Sequence, residues 1–280
     1  METHVLRFRG GELTLDHTAI VGIVNVTPDS FSDGRQFLDP AKAVALAVRL
    51  ADEGAEILDV GGESTRPGAE PVSADEEWRR VGPVLRALRP KTAAKISIDT
   101  YKPDIAAKAL AAGADMVNDV TGLRDARMLA LAAKERAPVV VMHMQGEPRT
   151  MQKEPKYGDV VAEILAFLEE RTKAAVAGGI DLRAIVVDPG IGFGKRPMHN
   201  TEILRRLGEF RRLGFPVLVG TSRKSFLGAF GGGDPGQRLE ASLATAVLAV
   251  ERGADLVRVH DVAATAKAIR VADAVLRNRT

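Results

Sequence analysis

Eight short apolar runs, each followed by a longer helical segment, succeed one another along this chain, and this alternation restricts the fold more than any other feature. Each run is continuous and rich in β-branched residues, as strands buried on both faces of a parallel sheet are. The runs are AIVGIVN, AEILDVG, AKISIDT, ADMVND, PVVVMH, AIVVDPG, PVLVGTS and ADLVRVH. Eight such units predict an α/β protein with a single (β/α)8 TIM barrel, and a doubly wound open sheet is the alternative.

The residues at the ends of the predicted helical segments support the same fold. Several helical segments end in a glycine just before the next strand, as helix C-caps do: Gly54, Gly113, Gly179 and Gly253. Asp234 and Pro235 predict the start of a late helix. VLRF and ELTL, on either side of Gly-Gly, predict a short N-terminal β-hairpin. No linker divides residues 1–280, so we expect a single domain.

Composition excludes several classes of protein. A chain of 280 residues suits a barrel of roughly 250 residues with insertions. The net charge of +2 gives no reason to expect binding to nucleic acid or to a membrane surface. The chain has no cysteine, so it has neither disulfides nor a thiolate metal site. The start lacks a signal-peptide core and no run reaches the ~18 apolar residues of a membrane helix, so we expect a cytoplasmic protein.

Polar residues stand at the end of every predicted strand. In TIM barrels the active site lies at the carboxyl ends of the strands. Asp119 and Asp261 are expected to be helix caps or turn residues. The others are candidates for function: Asn25, residues 61–65, Asp99, Asn118, Met142 with His143, Asp188, residues 222–224, and Arg258 with His260.

Two long polar loops follow the first two strands. They are NVTPDSFSDGRQF, residues 25–37, and GGESTRPGAEPVS, residues 61–73. Connections in compact domains are usually shorter, and long ones with Gly, Ser and Pro are often functional. We expect both loops to be mobile and to take part in function.

The segment DPGIGFGK, residues 188–195, resembles a phosphate-binding loop but fails the test for one. The nucleotide P-loop would need glycine at position 189, where Pro189 stands, and Ser or Thr after Lys195, where Arg196 stands. Its glycines are expected to turn the backbone away from Asp188. Lys195 is expected to be solvated.

Seven motifs occur in one order from about residue 20 to 262: NVTPDSFSDG, GGESTRPGA, SIDT, NDV, DPGIGFGK, TSRKSF and RVHD. With these motifs the chain resembles the dihydropteroate synthase family, the folate-pathway enzymes that sulfonamides inhibit. The resemblance implies condensation of 6-hydroxymethyl-7,8-dihydropterin pyrophosphate with p-aminobenzoate, giving 7,8-dihydropteroate and pyrophosphate. It also implies a homodimer, which the apolar segment EASLATAVLAVERG supports.

The resemblance assigns the pterin site, and the chemistry agrees with it. The pterin edge carries adjacent N–H donors, for which a carboxylate is the natural paired acceptor. Asp188 is expected to take this role, with Asp99 and Asn118 completing the edge. Met142 would lie beneath the ring, and Lys224 would donate to a pterin carbonyl or ring nitrogen. His143 is expected to be structural.

The remaining site residues are expected to bind pyrophosphate and p-aminobenzoate. Arg258 and His260 lie two apart on one strand end, so they face the same way. With Asn25 and Arg66 they are expected to bind pyrophosphate, and Asn25 to be a ligand of Mg²⁺. The resemblance places Thr65, Arg66, Pro67, Phe193, Lys224 and Ser225 around p-aminobenzoate. The expected catalytic residues are Asp99, Asp188, Lys224, Arg258 and His260.

An aromatic amine is a weak nucleophile, so a dissociative loss of pyrophosphate is favoured over a concerted displacement. One alternative function is a pterin-binding methyltransferase module acting with a corrinoid protein, which needs neither the STRPG loop nor the Arg-x-His pair. Another is a Schiff-base aldolase using Lys224, which requires a neutral amine. Neighbouring charges, from Arg223, Arg258 and Asp188, argue against that. A non-catalytic barrel fits least well with eight polar strand ends.

Overall fold

The computed structural model describes residues 3–27, 39–66, 68–231 and 233–277. Ten strands are found in these residues. They are β1 (His4–Phe8), β2 (Gly11–Leu15), β3 (Ala19–Asn25), β4 (Ile57–Gly61), β5 (Lys95–Asp99), β6 (Met116–Asp119), β7 (Val139–Met142), β8 (Ile185–Asp188), β9 (Leu218–Val219) and β10 (Leu256–Val259). Strands β3 to β10 lie within the eight predicted runs.

The eight strands form a closed parallel barrel. Neighbouring strands follow the order β8-β7-β6-β5-β4-β3-β10-β9, and all of these pairs are parallel. A parallel bridge between Val187 and Val217 joins the two ends of this order. The predicted TIM barrel is therefore confirmed, and the open sheet is excluded because its strands would not follow one another around a ring.

Helices follow the barrel strands around the outside. They are α1 (Pro40–Asp52), α2 (Ala74–Leu88), α3 (Pro103–Ala111), α4 (Ala126–Glu135), α5 (Val160–Ala177), α6 (Pro197–Arg205), α7 (Ser225–Gly228), α8 (Leu239–Glu251) and α9 (Val262–Arg277). The four glycines predicted to end helices all have positive φ, from 95° to 111°. None of the helices in the described ranges is long and apolar enough to cross a membrane.

The late helix starts further along the chain than predicted. Asp234 caps a single turn of 3-10 helix over residues 235–237, and α8 begins only at Leu239. The intervening Arg238 has φ −102° and ψ 19°, which are not α-helical values, so the chain bends before α8. The prediction that Asp234 caps the long helix was wrong, because Asp234 caps the 3-10 turn that precedes this helix.

The predicted N-terminal hairpin, β1 with β2, closes the base of the barrel. Its buried side chains Leu6, Phe8 and Leu15 pack on apolar residues from seven of the eight barrel strands: Ala19, Val21, Ile57, Met116, Val140, Val186, Leu218 and Leu256. The eighth strand, β5, contributes Lys95, whose ammonium group lies 4.8 Å from the centroid of the Phe8 ring. Because side chains alternate along a strand, the next inward positions lie higher in the barrel, and several of these are polar.

Candidate active site at the carboxyl ends of the strands

A largely buried arginine joins two carboxylates inside the upper barrel. Arg258, on β10, donates from Nε to Oδ2 of Asp59 over 2.6 Å and from Nη2 to Oδ2 of Asp99 over 2.7 Å. Asn118 donates to the same Asp59 oxygen over 3.0 Å. The predicted residues Asp99, Asn118 and Arg258 therefore meet, and β4 adds a carboxylate that was not predicted.

Each of these carboxylates keeps one buried oxygen that lacks a hydrogen-bond partner within the described ranges. These are Oδ1 of Asp59 and Oδ1 of Asp99, and the nearby Ser97 hydroxyl is in the same condition. Burial raises the pKa of Asp99 to about 7, while Arg258 opposes the shift and Asp59 adds to it. Buried polar atoms are rarely left unpaired, so these oxygens are suited to accept hydrogen bonds from a bound molecule.

Asp188 ends β8 and is also buried. Its Oδ1 accepts a hydrogen bond from the backbone N–H of Gly190 over 2.6 Å. Burial raises the pKa of Asp188 above its ordinary value, and Lys224 opposes this shift. Oδ2 has no protein partner in the part of the chain that is described. One oxygen is thus fixed by the backbone and the other remains an acceptor.

Lys224 lies between the Asp188 loop and the barrel. Its ammonium group donates to the carbonyl of Ile191 and lies 4.7 Å from the centroid of the Phe193 ring. Burial lowers the pKa of Lys224 to about 8, although Asp188 opposes the shift. Of the nearby charges, Arg258 adds to this lowering of the pKa, whereas Asp99 opposes it as Asp188 does. The amine is still mainly protonated at neutral pH.

Met142 and Phe193 form an apolar wall beside these polar groups. Met142 is 3% exposed and is paired in register with Asp188. Phe193 packs against the same cluster, whose buried members are Val120, Met142, Met144 and Met151. Met142 therefore lies next to Asp188 and Phe193 next to Lys224, while their expected contacts with the pterin and with p-aminobenzoate stay predictions.

The segments that follow β9 and β10 are in contact through Ser222 and His260. The hydroxyl of Ser222 lies 3.1 Å from Nδ1 of His260. Burial lowers the pKa of His260 to about 3, and Arg258 adds to the shift. Ser225 is the first residue of α7. Arg258 and His260 thus come from one strand end but have different partners.

The two residues predicted to be caps or turn residues occupy such positions. Asp119 accepts hydrogen bonds from the backbone N–H groups of Thr121 and Leu123. Asp261 pairs with the guanidinium group of Arg223, and its carbonyl accepts from Thr265 in the first turn of α9.

The second long loop is anchored at its base and exposed further on. Glu63 accepts hydrogen bonds from the hydroxyl of Tyr101, over 2.9 Å, and from Lys102. Thr65 is half-buried and Arg66 is exposed. Pro67 lies outside the described residues, so its expected contact with p-aminobenzoate stays a prediction.

Asn25, the predicted magnesium ligand, ends β3 opposite Gly61 of β4. Most of the first long loop, residues 28–37, lies outside the described residues. In the described ranges, no group of three or more His, Asp or Glu side chains could hold a metal ion. Asn25 offers one neutral oxygen, as expected for a Mg²⁺ that keeps water and substrate oxygens among its ligands.

Comparison with known proteins identifies the family. The pterin binding enzyme family matches residues 21–260. Dihydropteroate synthase of Escherichia coli K12 is 46% identical over 268 residues, which are 96% of this chain and 95% of that protein. The chain belongs to the dihydropteroate synthase family.

Solved structures of the family agree in fold over nearly the whole chain. Dihydropteroate synthase of Xanthomonas albilineans with 4-aminobenzoic acid has a TM-score of 0.92 and 50% identity, covering 98% of each chain. A structure of the synthase from that organism with 7,8-dihydropteroate has a TM-score of 0.88 and 48% identity, covering 97% of this chain and 98% of that one.

One residue of this synthase-family site lies where the sequence did not place it. Lys195 was expected to be solvated, but it is only 2% exposed. Its Nζ lies 3.0 Å from Nδ1 of His143 and donates to the carbonyl of Phe193 over 2.9 Å. Gly190, with φ 69°, lets the loop fold back, because a Cβ there would lie 1.9 Å from the His143 carbonyl oxygen. The prediction for Lys195 was wrong, and the structural role expected for His143 agrees with its burial.

Asp59 is the main residue of the site that sequence reasoning missed. It lies inside the run AEILDVG rather than at its end, and it is 1% exposed. Strand parity could have found it: Asp59 follows the inward Ile57 by two residues, so it also faces the barrel interior. A charged residue there needs a partner, and Arg258 provides it.

Proposed function

We propose that this chain condenses 6-hydroxymethyl-7,8-dihydropterin pyrophosphate with p-aminobenzoate, giving 7,8-dihydropteroate and pyrophosphate in folate biosynthesis. The observation that carries the proposal is the set of carboxylates at the carboxyl ends of the barrel strands. Asp59 and Asp99 each keep a buried oxygen without a partner in the described ranges, and Asp188 has one oxygen fixed by the N–H of Gly190. A pterin presents N–H donors that such oxygens can bind. The solved relatives with 4-aminobenzoic acid and with 7,8-dihydropteroate support the same substrate and product.

In this proposal Asp188 and Asn118 bind the pterin edge, with Asp99 beside them. Met142 lies beneath the ring, and protonated Lys224 donates to a pterin carbonyl or ring nitrogen. The carboxylates also stabilise positive charge on the pterin, and such a charge develops when pyrophosphate leaves.

The reaction begins with breakage of the bond between the methylene carbon and the pyrophosphate oxygen, whose electron pair leaves with the anion. The electron-rich pterin delocalises the resulting cation, and Asp99 and Asp188 stabilise it. The amine nitrogen then attacks the methylene with its lone pair and loses a proton. Fixed donors and cations at the departing anion are the strongest aid to such a step, and Arg66, Arg258 and His260 are assigned this role. A magnesium ion held in part by Asn25 would neutralise further negative charge.

Pyrophosphate release tests this function directly. Dihydropteroate is expected to form only when both substrates and Mg²⁺ are present, with pyrophosphate released in equal amount. Omitting p-aminobenzoate is the control. Methyl transfer to a corrinoid without pyrophosphate release would contradict the proposal and support the methyltransferase alternative.

We expect the amine pocket to form only after the anion site is filled. Arg66 is exposed on a loop whose base is fixed by Glu63, so its guanidinium group is free to bind pyrophosphate and carry Thr65 over the pocket. Ordering loop residues costs about 1–2 kcal/mol for each residue that is fixed, and the anion contacts must offset this cost. A sulfonamide should therefore bind much more tightly with pyrophosphate and Mg²⁺ than without them. Arg66→Ala should largely erase this difference while sparing pterin binding, as isothermal titration would show.

Arg79→Ala is the matched control for that titration, because Arg79 is exposed on the following helix α2 and pairs with Glu76 alone among the described residues. Equal sulfonamide affinity of the wild type with and without pyrophosphate would defeat this binding order.

We also propose a homodimer through α8 and α9. Large apolar side chains are exposed on these adjacent helices: Leu248, Val271, Val275 and Leu276. Val271 and Val275, 66% and 76% exposed, are four residues apart and so share one face of α9. An exposed apolar surface of this kind often marks a protein interface. The double substitution Val271→Glu and Val275→Glu is expected to give a monomer in sedimentation velocity experiments.

Leu182→Glu is the control for the dimer, since Leu182 is 59% exposed in the 3-10 turn before β8. It should leave the sedimentation coefficient unchanged. A wild-type protein that sediments as a monomer at micromolar concentration would refute the proposal.

A further inference from the structure

Two hydrogen bonds join Ser222 to His260. The Ser222 hydroxyl oxygen lies 3.1 Å from Nδ1 of the imidazole. The backbone N–H of His260 donates to the same oxygen, also over 3.1 Å. Ser222 is 6% exposed, and its hydroxyl has no other hydrogen-bond partner in the ranges that the structure describes.

These contacts determine which imidazole nitrogen carries the proton. A serine hydroxyl has one hydrogen to donate and can accept two hydrogen bonds, whereas a backbone N–H can only donate. If Nδ1 were protonated, the oxygen would accept twice and its own buried hydrogen would have no acceptor. If Nδ1 is unprotonated, the hydroxyl donates to it and every group is paired. A neutral imidazole has one ring proton, which must then be on Nε2.

We propose that Ser222 is a positioning residue that holds neutral His260 with its proton on Nε2, so that this nitrogen donates a hydrogen bond to the departing pyrophosphate. The identity of the anion rests on the function proposed above, whereas the tautomer does not. The sequence analysis placed Ser222 among the candidates for function, within residues 222–224, but neither the motifs nor the resemblance assigned it a specific role.

The position of the proton decides whether His260 attracts or repels an anion. With the proton on Nε2 the ring presents a donor, and with the proton on Nδ1 it would present a lone pair. Burial keeps the imidazole neutral, and the positive charges of Arg258, Arg223 and Arg66 add to this effect while Asp261 opposes it. A neutral ring can bind an anion only through an N–H group, so the tautomer has to be set in advance.

The turn that carries Ser222 is held in place by α8. Thr221 accepts a hydrogen bond from the hydroxyl of Thr245 over 2.9 Å. Arg223 has φ 58°, and its backbone N–H donates to the Ser242 hydroxyl over 3.0 Å. Bonds on both sides of Ser222 therefore fix the hydroxyl against the imidazole ring.

Long-range proton–nitrogen NMR of the ¹⁵N-labelled wild-type protein would test the tautomer. The chain has five histidines, and two of them serve as internal references. His199 accepts a backbone N–H from Arg196 at Nδ1, so its neutral form is protonated on Nε2. His17 bonds Glu56 and Asp16 through its two nitrogens, and the Glu56 contact raises its pKa to about 9, so both nitrogens are protonated at neutral pH.

The signals of His260 are identified by their loss in His260→Gln. They should show the His199 pattern, with Nδ1 unprotonated and Nε2 protonated. A protonated Nδ1 in the wild type would overturn the proposal.

Two variants connect the tautomer to anion binding. Ser222→Ala removes the donor, so Nδ1 should become partly protonated and the affinity for pyrophosphate with Mg²⁺ should fall about tenfold, the value of one hydrogen bond. Ser222→Thr keeps the hydroxyl and should restore both the tautomer and the affinity for pyrophosphate. Thermal unfolding of each variant would show whether a lower affinity comes from misfolding instead. Unchanged tautomer and affinity in a folded Ser222→Ala would overturn the role of Ser222. A wild type with the expected tautomer but no affinity for pyrophosphate would instead overturn the proposed function and the anion as partner.

Discussion

Asp188→Asn is expected to weaken binding of the pterin substrate by tens- to a thousandfold, about 2–4 kcal/mol. The backbone N–H of Gly190 already bonds Oδ1 over 2.6 Å. An asparagine would keep its carbonyl oxygen at that donor, so its NH₂ group would stand where Oδ2 stands now. A donor would then face the pterin N–H in a buried place, and the mismatch cannot be relieved by turning the amide.

Isothermal titration with a pterin that lacks the pyrophosphate would measure this loss. Asp181→Asn is a matched control, because Asp181 makes the same kind of hydrogen bond to a backbone N–H, that of Arg183, but at the other end of β8. It should leave pterin affinity unchanged. Wild-type affinity in a folded Asp188→Asn protein would remove Asp188 from the site.

Arg258→Met is expected to lower the free energy of unfolding by about 3–5 kcal/mol and to abolish product formation. The guanidinium group is the shared partner of Asp59 and Asp99, whose side chains are 1% and 11% exposed. Without it two buried carboxylates face each other with no cation between them. Arg258→Lys keeps the charge, but a single ammonium group cannot reproduce the two separated contacts, so it should rescue stability only in part.

The effect on stability should depend on pH in a defined direction. The pKa of Asp99 is about 7, against an ordinary value of 3.8, and Arg258 is the strongest influence lowering it. Removing Arg258 raises this pKa further. A group with a raised pKa in the folded state loses its contribution as pH rises from the unfolded to the folded pKa. The difference between the wild type and Arg258→Met should therefore widen as pH rises above about 7.

Chemical denaturation on either side of that pH would measure the effect. Arg127→Met is the control, since the Arg127 side chain is 70% exposed and pairs with Asp125 at the surface. Exposed pairs contribute at most about 1 kcal/mol. A loss of stability in Arg258→Met no larger than in this control would show that the buried cation is not needed.

The barrel could be predicted from the sequence because each strand is a continuous apolar run, and the polar residue at its end marks the functional rim. The same rule missed Asp59, because this residue lies inside a run and not at its end. Its place in the site can be inferred only from strand parity and from its partner Arg258. The prediction that Lys195 is solvated was wrong for a different reason. Its burial depends on a loop that folds back through glycines with positive φ, and local sequence does not say where such a loop will come to rest.

The β1–β2 hairpin leaves the ribosome before any strand of the barrel, yet the surface that buries it is the last to be finished. Leu6, Phe8 and Leu15 pack on residues from around the ring, and the final one, Leu256, comes from the last strand. At about 5–20 residues per second, synthesis of the intervening chain takes on the order of 10–50 seconds. Throughout that time the apolar surface that packs on the hairpin is incomplete. In a chain that stops before β10, this surface stays incomplete. Complete burial of the hairpin thus indicates that translation has passed the last strand of the barrel.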